Sequence, residues 1–594
     1  MKNKKGLYLV RLFLVLGSIY FLSACGANQA GRNELSLFTG IDEISYKDWE
    51  IGSSGGNLNV AIEAEPKTFN VVVSAESSTS DIVNRLFDYV AERDILTLQW
   101  EGRLVSGWEI SEDQKSATFT MRPNLKWSDG QDLTAEDIVF SVNNVYLVKG
   151  VEGSHRHVFM VGNEAARFEL IDKDHFKITT PLVYADIISL AHFQPVPKHI
   201  FQPLIESKGI EAVNSFWGID SNPQDIVGCG PFVIDEYKPG QRLILKRNSN
   251  YWRKDAKGNS LPYLDTISLV IVEDRNTSFL KLQAGEVDTI EKIRGEDVAT
   301  LLDNKDKIGV KVYNSGPESA TNFLTINQNI NTLEEPKKSW FNNKLFRQAM
   351  AHLIDRQTII DNVYFGFAYP QYSLVPPYSP LFWKDVETVA PKFDPEAAKA
   401  ILDSLEMKDR NNDGIREDKE GNPVSFVLQT NSDNTIRVKI GDIISQEMKK
   451  AGLDVTFKPG DFNTLVTALV GTFQWDMIII GFTGSLQPFI EGGNSLPSRG
   501  NLHMTHPNQE SPIRDWEKRV DQLYTQNTTT TNFEIRKKTG DEIQKIWVEE
   551  CPWIYTVNEA AIFAFSKRVG NTKPRNIEPY DSWKGICEFL YIKK

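Results

Sequence analysis

The run Asp409-Arg-Asn411-Asn-Asp413-Gly414-Ile415-Arg-Glu417-Asp-Lys-Glu420 spaces its oxygen donors as a calcium loop does. Asp409, Asn411 and Asp413 offer side-chain oxygens, Gly414 permits the tight turn, Ile415 offers a carbonyl, and Glu417 and Glu420 add carboxylates. A hard divalent cation needs six to eight such oxygens. A plain Asn-Asp-Gly turn between a helix and a strand uses the same residues. No helical pattern follows to complete a helix–loop–helix, so both readings stand: a structural calcium, or a turn. No other cofactor is expected. The pairs His155/His157 and His503/His506 have spacings that suit a metal but lack a third ligand in register, which favours surface or capping roles. Gly228-Cys229-Gly230-Pro231 lacks the third glycine of a dinucleotide loop and precedes a strand pattern. No nucleophile elbow, no His-Glu-x-x-His helix and no phosphate loop ending in Gly-Lys-Ser/Thr occurs. No catalytic residue is therefore assigned and the protein is expected not to be an enzyme, although a dispersed carboxylate pair is invisible at this level.

The composition narrows the remaining classes. Hydrophobic residues are 41 % and charged residues 24 % of 594, ordinary globular usage. That excludes a disordered chain, a collagen-like repeat and a multi-span membrane protein. The formal net charge of −13 makes a phosphate-backbone partner a poor fit, so no nucleic acid is expected. Length alone allows about four domain-sized units.

The start of the chain reads as an address. Lys2, Lys4, Lys5 and Arg11 precede an apolar run, Leu12 to Leu22, too short for a bilayer span. Leu22-Ser23-Ala24-Cys25 resembles a bacterial lipobox. The resemblance implies cleavage before Cys25, residues 1–24 being the signal peptide, and acylation of Cys25, so that the protein is exported and lipid-anchored to the cell membrane. More than one acyl chain is needed for stable anchoring. Loss of the four leader cations takes the net charge from −13 to −17. Residues 25–54 read as a lipidated tether, in which Leu35, Leu37, Phe38, Tyr46 and Trp49 suggest partial docking. Of the other cysteines, Cys229, Cys551 and Cys587, two at most can pair. Buried small hydrophobes are the simpler reading.

The elements needed to hold a site come next. Leu58–Ile62 and Ala117–Arg122 alternate as strands, Trp127-Ser-Asp-Gly130 is a turn, and Thr134-Ala-Glu-Asp137 is a capping box ahead of Ile138, Val139, Val142 and Tyr146. Leu243–Leu245 and Ile267–Ile271 read as strands, and 341–356 as one helix. Asp394-Pro395-Glu396 opens another. From 423 to 481 the pattern is strand, helix, strand, helix, strand, which predicts a largely parallel sheet. Ligands of such sheets sit beyond the strands' carboxyl ends, which singles out Phe482-Thr483-Gly484-Ser485. Thr528–Thr531 reads as a solvated loop.

Residues 104–142, LVSGWEISEDQKSATFTMRPNLKWSDGQDLTAEDIVFSV, resemble the signature region of the family 5 extracellular solute-binding proteins. These are oligopeptide, dipeptide, nickel and oligosaccharide receptors of ABC importers. Further landmarks follow in order: Glu65–Asn70, Pro195–Ile200, Gly228–Phe232, Arg247–Trp252, Leu282–Asp288, and Phe346-Arg347 through Asp355-Arg356. Cys229 departs from the family's usual small hydroxyl residue and is expected to be buried and inert.

The resemblance implies an α/β, two-lobed periplasmic-binding-protein-like fold with an extra inserted subdomain and two hinge crossovers. Lobe I would comprise 55–87, 225–318 and 551–594, the insert 88–224, and lobe II 319–550. The crossovers would lie near Asn314–Asn322 and Glu550–Asn558. The implied function is capture of an oligopeptide, alternatively an oligosaccharide, for an ABC permease by a monomeric receptor. Phe69, Asn70, Ser77, Asn322, Trp475, Phe482, Thr483 and Gly484 are the implied ligand contacts. Trp475-Asp476 leads to a loop with no acidic residue before Glu491, where peptide receptors often hold one for the peptide amine. Gly481–Gly484 with Gly500–His503 resembles a subgroup described as binding either ligand. A secreted hydrolase, or a signalling or adhesion lipoprotein on the same fold, are the remaining alternatives.

Overall fold

The structure is a computed structural model. It describes residues 40–594 except 75–76, 153, 162–163, 433, 483, 492–494, 508 and 578–580. The leader, Cys25, Leu35, Leu37, Phe38 and Thr483 lie outside the described residues.

Two large sheets carry the two lobes. The first has eight strands, in the order Phe232–Lys238, Arg242–Arg247, Thr266–Ile271, Asn57–Ile62, Thr289–Ile290, Val557–Ser566, Val310–Pro317, with Ala368–Pro370 also paired to Val557–Ser566. Asn57–Ile62 runs parallel to Thr266–Ile271 and Thr289–Ile290. The second sheet has the order Asp454–Gly460, Ser425–Asn431, Met477–Phe482, Thr321–Ile326, Trp553–Tyr555. Ser425–Asn431 is parallel to both Asp454–Gly460 and Met477–Phe482, as the alternating sequence requires.

Alternation along the central strands fills both faces of the second sheet. Leu324, Ile326, Met477 and Ile479 join one core with Ile440, Ile444 and Met448 of helix Thr435–Lys450. Phe323, Ile478 and Ile480 join another with Trp516, Val520 and Leu523 of Asp515–Thr528, and Ile543 and Trp547 of Phe533–Glu550.

The insert carries a four-stranded antiparallel sheet in the order Val105–Ile110, Ser116–Met121, His175–Thr179, Arg167–Asp172. Phe119 and Phe176 stack at 5.0 Å between its central strands. The Thr134 capping box forms as read, and Ile138, Val142 and Tyr146 are buried. This sheet shares one continuous core with the first lobe, so the insert is an extension of that lobe's interior. A charged knot reinforces the join. Arg103 donates to Asp88 at 2.9 Å and lies 3.5 Å from Glu92, and it also pairs with Glu588 near the C-terminus.

The chain passes between the sheets twice, at 318–320 and at Thr556, whose amide donates to the Asn322 carbonyl at 2.9 Å. Two expectations are corrected. Trp553–Tyr555 pairs with Thr321–Ile326, so 551–555 goes with the second lobe rather than the first. The single helix at 341–356 is instead Lys337–Asn342 and Lys344–His352, because the Asn343 side chain turns to cap the Leu345 amide. On the first lobe, Trp49 stacks on Phe589 at 4.1 Å and the Tyr46 hydroxyl donates to the Pro574 carbonyl, so this part of the tether is docked.

Candidate functional site

The carboxyl ends of the parallel strands from both sheets meet the crossovers. Lobe I contributes Glu63 after Asn57–Ile62, and Glu291 and Lys292 after Thr289–Ile290. Lobe II contributes Asn431 and the loop after Met477–Phe482. This loop folds tightly because glycine allows it. A Cβ on Gly481 would sit 1.9 Å from the Thr321 carbonyl oxygen, and one on Gly484 would sit 1.7 Å from that of Ser319. The loop singled out by topology therefore lies directly against the first crossover.

Lys292 organises the hinge. Its ammonium lies 3.0 Å from Glu318 in the first crossover and 2.7 Å from Glu559 just past the second. Burial works against its charge, but the two carboxylates outweigh that and hold its pKa above the ordinary lysine range. Burial raises the pKa of Glu559 and pushes Glu291 up to about 7. Beside the Gly481 loop, Arg437 donates to the Asn322 and Asn431 side-chain oxygens at 3.0 and 3.1 Å. Sequence reasoning named Asn322 but missed Lys292, Glu318, Glu559, Asn431 and Arg437. Lys292, Glu318 and Asn431 stand at strand ends, which is a readable signal, whereas Glu559 lies within strand Val557–Ser566 and Arg437 in the first turn of helix Thr435–Lys450.

The predicted contact residues separate into two groups. Asn322, Phe482 and Gly484 are brought together at the crossover, while Ser77 is exposed at the start of helix Ser77–Leu86. Phe69, Asn70 and Trp475 are corrected. Phe69 is fully buried against Tyr237, and Trp475 is packed in the second lobe's core. Asn70 is fully buried, donating to the Val213 carbonyl at 2.7 Å and accepting from the Val72 amide at 2.9 Å. It braces the loop after the first strand, and complete burial keeps its amide away from any ligand. Phe482 leans on Phe323 and Trp553 at 5.4 and 5.5 Å.

Several landmarks prove to be braces. Arg347 donates to the Glu550 carbonyl and pairs with its carboxylate at 3.1 Å. Arg356 donates to the Tyr555 and Gln371 carbonyls, holding the second crossover. Cys229, Cys551 and Cys587 are buried free thiols, and burial raises all three pKa values, to about 12 for the latter two. Such thiols are inert.

In the 409–420 loop, ligand oxygens of Asp409, Asp413 and Glu417 lie within 4.8 Å of one another. Asn411 Oδ1 accepts from the Asp413 amide, and the Ile415 amide donates to Asp413. Glu420 is corrected as the closing ligand. It is exposed and pairs with Lys419, because the chain turns into an antiparallel bridge between Glu417 and Pro423. His503 and His506 are buried beside Glu517, which anchors the start of helix Asp515–Thr528 by accepting from the Ile513 and Arg514 amides. Burial lowers His506 to about 4, so it is neutral at physiological pH.

The described residues give two large sheets joined by two crossovers, with parallel-strand ends gathered beside them. A model described as bacterial extracellular solute-binding proteins, family 5 Middle, matches residues 99–496. The chain belongs to that family. It is a solute-binding receptor of the ABC-importer class, a transport component without catalytic activity. A relative from Deinococcus radiodurans, described as a probable ABC transporter-binding protein, is 30 % identical over 538 residues, covering 87 % of this chain and 89 % of the relative. The structure of the oligopeptide-binding protein AppA from Bacillus subtilis with a nonapeptide superposes with a TM-score of 0.69 at 23 % identity, covering 92 % of this chain and all of that one. The periplasmic binding protein MelB from Agrobacterium fabrum with stachyose gives 0.72 at 20 % identity, covering 92 % and 86 %. Among the described residues no helix is long and apolar enough to cross a membrane.

Proposed function

We propose that this family 5 receptor captures oligopeptides between its lobes and delivers them to an ABC permease, working as a monomer anchored through Cys25 at the outer face of the cell membrane. The same fold holds a nonapeptide in AppA and stachyose in MelB, so the ligand class rests on the cleft and not on the fold. The observation that favours peptide is the fate of the aromatic rings. Phe69 and Trp475, which could have stacked on sugar faces, are consumed by the cores, and Phe482 is braced by Phe323 and Trp553. Asn322, Asn431 and the loop backbone at Gly481, set among the charged Glu63, Lys292 and Arg437, suit main-chain hydrogen bonds to an extended peptide. Closure shifts an open–closed equilibrium in proportion to the ligand's preference for the closed form. Native mass spectrometry of the purified receptor checks this: bound peptide masses are expected, and bound glycan without peptide overturns it.

We also propose that the Asp409–Glu417 loop binds a structural calcium ion. The convergence of its three carboxylates supports that reading.

A further inference from the structure

The lobes also meet away from the crossovers. The Ala185 amide on the insert donates to the Thr528 carbonyl of lobe II at 2.9 Å. The Thr531 hydroxyl donates to the Gln114 side-chain oxygen. The Thr528–Thr531 turn is therefore an inter-lobe contact and not the solvated loop its composition suggests. Near it lie two buried charges from opposite lobes, Arg536 and Asp186, 8 % and 9 % exposed, and the Arg536 carbonyl accepts from Asn527 beside the turn. Asp186 is already gripped on its own lobe by Arg93 at 3.0 Å and by the Trp100 indole N–H at 2.8 Å. Arg536 is close enough to favour its negative charge without forming a direct ion pair.

Arg536 also reaches the cleft. Its Nη2 donates to Gln487 Oε1 at 2.7 Å, and the Gln487 amide donates to Ser485 Oγ in the loop that follows Gly484. Leu486, between these two residues, packs into the first lobe's core, and its carbonyl accepts from Ser379 Oγ. The Arg536 Nε is buried without a hydrogen-bond partner. A buried guanidinium held this way is costly unless a nearby carboxylate compensates it. Asp186 of the opposite lobe supplies part of that compensation, against the like charge of Arg93.

We propose that Arg536 and the Thr528–Thr531 turn form a clasp on the insert at Ala185–Asp186 and Gln114 that holds the receptor closed, with Gln487 linking the clasp to the cleft loop. Opening the lobes would take Arg536 away from Asp186 and break the Ala185–Thr528 bond. Movement of the 484–487 loop would shift Arg536 and so bias closure.

The test uses the full chain without ligand, so it stands apart from the question of peptide or sugar. Hydrogen exchange is read over residues 181–190, and small-angle scattering gives the radius of gyration. Arg536→Gln is expected to speed exchange at Ala185 by about tenfold and to enlarge the radius. Arg536→Lys is expected to recover part of both. Unchanged exchange overturns the clasp, and faster exchange at an unchanged radius overturns its role in closure. Should Arg536→Gln fail to fold, the exposed Thr531→Ala is read the same way with a smaller expected change.

Discussion

Glu92 shows how burial sets one residue's chemistry. Burial raises its pKa from 4.5 to about 8, and the nearby Arg103 only partly offsets this. A carboxyl whose folded pKa is raised stabilises the fold fully below its unfolded value. That contribution is lost as pH rises from about 4.5 to about 8 and is flat above. Thermal melts across this window should therefore fall for the wild type, and Glu92→Gln should flatten the decline. An unchanged slope would show that Glu92 titrates normally. The sequence offers no hint of this, since Glu92 becomes buried only when 88–103 meets the C-terminal Glu588. Cys229 was easier to place. Read as a small hydrophobe it is buried as expected, and the glycines on either side abut the Arg85 and Leu86 carbonyls.

At the scale of elements, local patterns were read well wherever one periodicity dominated. The Thr134 capping box and the strand–helix alternation of 423–481 fall where their patterns put them. The helix at 341–356 was misread because Asn343 fits a helical spacing yet favours a cap. The 409–420 loop shows the limit of a spacing rule. Its first, fifth and ninth positions, Asp409, Asp413 and Glu417, converge, and the twelfth turns away because a bridge, not a helix, follows. Titration of chelator-treated protein with calcium should release heat and raise the melting temperature, and Asp413→Ala should abolish both. No heat would leave the loop a turn stabilised by its own hydrogen bonds.

For the whole molecule, the hinge ties function to topology. Lys292 bonds Glu318 in the first crossover and Glu559 just past the second, tying the first crossover to the first lobe's sheet. Lys292→Met would leave Glu318 and Glu559 close and unneutralised, costing about 1–3 kcal/mol, since these groups are only partly buried. Urea denaturation should show that loss at pH 7, with partial recovery in the added Glu559→Gln variant. A neutral Lys292→Met would mean the triad adds nothing to hinge stability.

The sequence by itself determined the family, through landmarks in order, and the alternation that builds a parallel sheet with the Gly481–Ser485 loop at a strand end. Those features are local, so spacing carries them. Tertiary structure alone decided which aromatics are core. It also decided that Trp553–Tyr555 belongs to the second lobe, and that Lys292, Glu318 and Glu559 meet. Each depends on segments that are far apart in the chain, and burial and charge pairing exist only once the fold brings them together.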